Sequence, residues 1–394
     1  MPYEPSHDLK LDRSLDESAR QDFVAALRGF VLHDMAADMR AAYEQRVKPA
    51  AERVWGHEPR DSGEVHKALR DDLAFKFYSS VRVNAQEMVW DSVREIVERS
   101  RSSLGEQVRK PRGNTLGSLT LDPAVPMPRS VSAVDVHLMP GNYHSEYGAD
   151  DATQGAFYDN GTAVFYMGLM GRDQGDIAHT LSRWVRARYP DLDVRRILDV
   201  GCTIGHNTVP WAQSFPEAEV HGVDVAAPML RYGHARARAM NVAVHFRQMD
   251  ATALQYPDDS FDVVWSSMFL HELPLKSICQ ALAECRRVLR PGGLMIHMEL
   301  PPNNALQPYD AFYLDWDGWY NCEPFYKTFR DQDPKALCAG AGFDPATFEQ
   351  HVVPSLNWFG EEGFQRALDR AGGIDKDTGR FDQGLSWYAF SARK

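Results

Sequence analysis

At 394 residues the chain is too long for one ordinary core, and two domains are the starting expectation. Hydrophobic residues make up 44% and charged residues 25%, as in a soluble globular protein, and 43 Lys and Arg against 55 Asp and Glu leave a net charge of -12. That balance argues against nucleic acid as the main partner, because proteins that grip phosphates carry a basic field.

The chain opens on MPYEPSHDLKLDRSLDES, which has charges where a signal peptide needs an apolar run. The most apolar stretches, VVWSSMFL and GLMIHMEL, fall far short of the about 20 residues a spanning helix needs. The five cysteines (Cys202, Cys279, Cys285, Cys322, Cys338) are odd in number and none forms a C-x-x-C pair. Neither a disulfide framework nor a structural zinc site is expected, and a cytoplasmic protein is.

From Asp16 to about Val47, apolar residues at Phe23, Leu27, Phe30, Val31, Met35 and Met39 recur every three or four positions. That spacing predicts helix. A second stripe runs through Val65, Leu69, Leu73 and Phe77 and resumes at Met88, Val89, Val93, Ile96 and Val97, with Asn84 as a break or kink between. Such helices can cover a second domain or pair two copies of the chain as a homodimer. Residues 101–120 are rich in Gly, Ser and charge, and prolines follow. The expected division is a helical domain over 1–112, a linker over 113–145 and a second domain over 146–394.

From about residue 178 the pattern alternates between amphipathic helices and short apolar runs such as RRILDV, EVHGVDV, VAVHF, FDVVWSS and GLMIHMEL. Alternation of this kind predicts βαβ units and a mostly parallel sheet, whose ligands lie at the carboxyl ends of the strands. RRILDV runs into Gly201-Cys202-Thr203-Ile204-Gly205, a turn that lets a ligand approach the backbone closely. It is not the dinucleotide fingerprint G-x-G-x-x-G, because the second glycine comes four residues after the first. Asp224, at the end of EVHGVDV, can accept both ribose hydroxyls of a nucleoside, and Asp250, after VAVHF, can accept from an adenine amino group.

ILDVGCTIG, GVDV, MDATAL, FDVVWSSMFLHEL and RVLRPGGLM, in that order and spacing, resemble the class I S-adenosylmethionine-dependent methyltransferases, closest to the ubiquinone and menaquinone biosynthesis type. The resemblance covers roughly 145–394 and is tight over 195–299. It implies a Rossmann-like, seven-stranded α/β sheet whose last strand inserts antiparallel, behind an N-terminal all-helical domain. It also implies S-adenosylmethionine as cofactor. Asp199, Gly201 and Gly205 would form the turn around its methionine part, Asp224 would hold the ribose, Met229 would pack near the adenine, and Asp250 with Ala251 would read the adenine edge. Ser266 and Ser267 sit where a backbone carbonyl takes the cofactor's amine. Thr203 stands where the family has glycine, so its side chain must point away from the cofactor or touch it.

His271, in FLHEL, is the candidate general base, since an imidazole titrates near working pH. His297 and Glu299 alternate along the next strand and are too few for a metal site, so no metal is expected. Residues 309–329 carry nine aromatics in 21, where the whole chain is 11% aromatic. Tyr313, Trp316, Trp319 and Tyr320 among them are candidate substrate contacts. Tyr143, His144, Tyr147, Phe157, Tyr158, Phe165 and Tyr166 form a second cluster. Lid elements are expected at 301–333 and 354–384. Aromatic walls favour a hydrophobic or aromatic small-molecule acceptor, methylated by direct transfer. The alternatives are non-methyl chemistry with the same cofactor, or a regulatory or partner-subunit role.

Overall fold

The computed structural model describes residues 3–110, 117–369 and 384–394. Helix Leu15–Phe30 starts at a capping box, in which Ser14 and Glu17 satisfy each other's backbone N–H. The chain continues through two π-helical turns, Val31–Met35 and Tyr43–Val47, to Trp55. The buried stripe is Gln21, Val24, Arg28, Val31, Met35 and Met39, while Phe23 and Phe30 are exposed. The inward face is thus rotated by about one residue from the expected one. Gln21 and Arg28 point inward because their bonds lie there: Gln21 donates to the Ser92 carbonyl at 3.2 Å and Arg28 to the Phe165 carbonyl at 3.0 Å.

Helix Leu73–Arg109 is one piece. Asn84 is not a break, for its side-chain amide donates back to the Ser80 carbonyl and the helix runs on. Leu73 and Phe77, expected inside, are exposed, and Phe75 and Tyr78 take their place.

Among the described residues the sheet has eight strands: β1 (Ser118–Thr120), β2 (Arg196–Val200), β3 (Glu219–Asp224), β4 (His245–Gln248), β5 (Phe261–Ser267), β6 (Leu289–Glu299), β7 (Glu349–Pro354) and β8 (Ser386–Arg393). Their order is β1-β4-β3-β2-β5-β6-β8-β7. β8 lies antiparallel between β6 and β7, as the resemblance implied. The eighth strand is β1, which the expected linker contributes by pairing parallel with β4 at the sheet edge. Because the order reverses at β2, a crevice opens beyond the ends of β2, β3 and β5.

The helical region shares a core with the sheet region. Val24, Val89, Trp90 and Val93 cluster with Ala156, Phe157, Ile204 and Tyr232. The N-terminal segment straps across the same junction: the Tyr3 hydroxyl donates to Asp159 at 2.9 Å and Ser6 donates to Asp173. Of the expected lid at 354–384, helix Leu356–Asp369 packs against helix Asp176–Arg188, and 370–383 lie outside the described residues. Among the described residues no helix is long and apolar enough to cross a membrane.

At the junction, Gly161 lies under the Trp90 ring, where an added Cβ would come within 2.3 Å. Gly161→Ala is therefore expected to destabilise the protein by about 1–3 kcal/mol through overpacking. The midpoint of urea unfolding measures it, and an unmoved midpoint would contradict this packing.

Candidate active site

A cavity of about 330 Å³ lies beyond the ends of β2, β3, β4 and β5. Asp199, Gly201, Thr203, Asp224, Asp250, Ala251 and Ser267 all line it. Gly201 has φ +75°, and a Cβ there would sit 2.3 Å from the Phe269 ring, so glycine is required on both counts. Thr203 adopts φ 45°, the left-handed backbone of the glycine it replaces. Its N–H donates to Asp224 at 2.9 Å, which fixes that conformation, and its hydroxyl turns toward His206 at 3.5 Å.

Asp224 also accepts the Ala226 N–H at 2.9 Å, and burial pushes its carboxyl up to about 6. Burial pushes Asp199 up to about 7, even though Thr208 donates to it at 2.5 Å. Asp250 accepts both the N–H and the hydroxyl of Thr252 at 2.8 Å. The arrangement sets carboxylate acceptors at three adjacent strand tips around one cavity. It suits a ligand with a ribose diol, an adenine amino group and an ammonium, and S-adenosylmethionine carries all three.

Three expected residues stand outside the cavity. Gly205, at φ +70°, packs its bare Cα against the Phe246 ring and shapes the turn from behind. Met229 is buried in the core shared with the helical region. Ser266 is fully buried, with its hydroxyl 2.7 Å from His297 Nδ1. The cavity reaches instead to His206 and Asn207, next in the chain after the turn. Burial pushes His206 down to about 3, leaving it neutral.

The far half of the cavity is built around two histidines. His271 sits on the turn after β5, and its Nδ1 lies 2.6 Å from Glu299 Oε2. The other Glu299 oxygen accepts the N–H groups of Phe269 and Leu270 at 2.9 and 2.5 Å. A carboxylate at Nδ1 places a proton there and turns Nε2 toward the acceptor half. Nε2 has no hydrogen-bond partner and lies 3.9 Å from Glu323 Oε2. Burial would lower the His271 pKa, but Glu299 and Glu323 outweigh it and raise it. His137 Nδ1 lies 2.9 Å from Glu323 and its Nε2 3.7 Å from Glu272. Burial alone would lower His137, yet these carboxylates push it up to about 10. Its backbone is left-handed, φ 58°, a strained conformation for histidine.

Tyr143 donates to Glu272 at 2.7 Å, and Tyr158, Phe165 and Tyr166 also face the cavity, so the second aromatic cluster forms part of its wall. The first cluster divides. Helix Pro308–Tyr320 turns Leu314 and Asp317 to the cavity, whereas Tyr313, Trp316, Trp319 and Tyr320 pack on the helical region. Trp319 stacks on His66 at 4.1 Å, Tyr320 bonds the same imidazole at 2.8 Å, and Trp316 donates to Ser79 at 2.9 Å. These four rings, expected as substrate contacts, pack instead at the interface with the helical region and do not line the cavity.

The helical region supplies Arg28, Leu32, Arg82 and Gln86 to the cavity. No sequence motif marks them, although an arginine on an otherwise apolar stripe is a signal at Arg28.

The methyltransferase domain family matches residues 197–293. A demethylmenaquinone methyltransferase of Thermus thermophilus is 37% identical over 136 residues, which are 34% of this chain and 59% of that protein. The ubiquinone/menaquinone biosynthesis C-methyltransferases UbiE of Azotobacter vinelandii and Dinoroseobacter shibae are each 32% identical over 172 residues, 39% of this chain. Those residues cover 67% and 68% of the two enzymes. The chain spans about half the length of the first two relatives, 59% of the Thermus enzyme and 44% of a Deinococcus radiodurans one.

If a ribose diol donates to an ionised Asp224, S-adenosylhomocysteine affinity should rise as pH climbs through about 6. In Asp224→Asn that step should vanish and affinity should fall about tenfold or more. Calorimetric titration across this range checks both, and a pH-independent wild type would contradict the placement.

Proposed function

Because this chain belongs to the class I S-adenosylmethionine-dependent methyltransferases, we propose that it transfers a methyl group to a hydrophobic or aromatic small molecule by direct in-line attack. The observation that carries this reading is a single cavity that joins the strand-tip carboxylates to an aromatic and titratable wall. The names of the curated relatives, which refer to menaquinone and ubiquinone synthesis, support an apolar ring as acceptor.

The bound cofactor supplies an electrophilic methyl on a positively charged sulfur. Asp224 and Asp250 orient the nucleoside, and Asp199 with the Gly201–Gly205 turn sets the direction of the sulfur. Tyr158, Phe165, Tyr166 and Phe269 exclude water from the reacting atoms. His271 Nε2 takes the acceptor's proton, and Glu299 holds the imidazole by its Nδ1–H and stabilises the imidazolium that results. Because its pKa is raised, His271 is competent as a base only above that raised value. Turnover should therefore increase with pH through it.

The decisive assay supplies methyl-labelled S-adenosylmethionine and a panel of hydroquinones, naphthols and aromatic amines. The expected result is one labelled methyl per product, with an equal amount of S-adenosylhomocysteine. Label transferred only to peptide or nucleic acid would sink the proposal, and a product without the label would point to non-methyl chemistry.

His271→Gln should lower kcat by about 10²–10⁴-fold and abolish the rise with pH, while S-adenosylhomocysteine affinity is retained. Unchanged turnover in this variant would remove His271 from the proton transfer.

A further inference from the structure

We propose that the acceptor bears an anionic oxygen group, a carboxylate or a phosphate ester, and that Arg28 of the helical region holds it. The inference rests on the reading of this cavity as the acceptor site.

Arg28 is 6% exposed and lines the cavity. Its Nε donates to the Phe165 carbonyl at 3.0 Å and its Nη1 to the Gln86 side-chain oxygen at 2.5 Å. Both partners are neutral, and among the described residues no hydrogen bond is made by Nη2. The guanidinium carbon lies over the Phe165 ring, 4.1 Å from its centre.

The neighbouring buried guanidiniums are satisfied differently. Arg82, on the same cavity wall, holds Asp317 at 2.7 Å, and Arg330 holds Asp315. Arg28 alone of these three lacks a carboxylate. A buried charge whose hydrogen bonds go only to neutral groups is costly, and the cost is recovered when an opposite charge binds it directly.

The carboxylates on the opposite wall do not supply that charge. Glu272 and Glu323 are engaged with His137, and Glu323 and Glu299 with His271. Asp317 is already committed to Arg82. The Phe165 ring that carries Arg28 also meets the His137 ring edge-on at 5.8 Å. Burial and then the adjacent Arg82 push Arg28 down to about 10 against the opposing pull of Asp317, so it stays charged at neutral pH. An aromatic acceptor can lie along Phe165 and Tyr166 with its anionic group on the guanidinium fork, a geometry that suits paired oxygens.

The acceptor is unidentified, so the test uses four probes of one shape: 2-naphthoate, 2-naphthyl phosphate, 2-naphthamide and 2-naphthylmethylamine. Their binding to the full chain is measured by calorimetry, with and without S-adenosylhomocysteine. Wild type should bind naphthoate or naphthyl phosphate about tenfold or more tighter than the amide, and the better of the two names the group. Arg28→Gln should reduce that preference to about threefold or less, and Arg28→Lys should keep most of it.

The proposal is overturned if the amide or the amine matches the anions, if neither anion binds at millimolar concentration, or if Arg28→Gln keeps the preference. Should Arg28→Gln fail to fold, the wild-type ranking and Arg28→Lys still decide the matter. Loss of S-adenosylhomocysteine binding by the wild type would instead strike the methyltransferase reading, since the anion preference is also read without it.

Discussion

The buried carboxylate of Glu299 is the constraint on which the site depends. It stands at the end of β6, 1% exposed, and a carboxylate there is tolerable only if nearly all its acceptor capacity is used. Two backbone N–H groups from the turn after β5 and the Nδ1–H of His271 use it. One side chain therefore locks the path of the turn, the face of the imidazole and the position of Phe269. The Phe269 ring in turn fills the space beside Gly201, so the cofactor turn after β2 is shaped from a residue held by β6. Cofactor half and acceptor half are thus set by one hydrogen-bonded carboxylate.

The second constraint is Asp224. A threonine in the left-handed region carries a cost that glycine avoids, and Thr203 accepts it because its N–H is fixed on that carboxylate. The same carboxylate lines the cavity. Departure from the family's glycine therefore leaves the turn intact, and it turns a hydroxyl toward His206. The odd residue and its remedy lie on adjacent strand tips.

Much of the sheet was legible in the sequence because parallel strands buried on both faces appear as short apolar runs, and their tips carry the chemistry. The antiparallel last strand followed from the resemblance, and motif spacing picked out Asp199, Gly201, Thr203, Asp224, Asp250, Ala251 and Ser267, which line one cavity. Gly205, Met229 and Ser266 lie outside the cavity lining, since spacing tells which turn a residue belongs to, not which side of the turn faces the cavity. The helices were less legible. Gln21 and Arg28 occupy inward positions that the apolar pattern assigned to Phe23 and Phe30, since buried hydrogen bonds outweighed the hydrophobic period there. The aromatic count in 309–329 correctly marked a buried surface. Composition could not say that one face of the helix meets His66 and Ser79 while the other meets the cavity.

The helical region changes meaning once these placements are joined. It was separable in sequence, yet it shares a core with the sheet and contributes two guanidiniums to the cavity wall. A region that only covered apolar surface would present leucines there, because a buried arginine is costlier than the side chain it displaces. Arg82 answers with Asp317 from the helix Pro308–Tyr320, so the cover and the sheet domain are tied by charge at the cavity itself. Among the described residues Arg28 makes no such ion pair. No carboxylate among the described residues hydrogen-bonds to it, and Asp317, bonded to Arg82, acts on it only through space. A conflict between local pattern and burial that the fold leaves unresolved is best explained by what the cavity is built to receive.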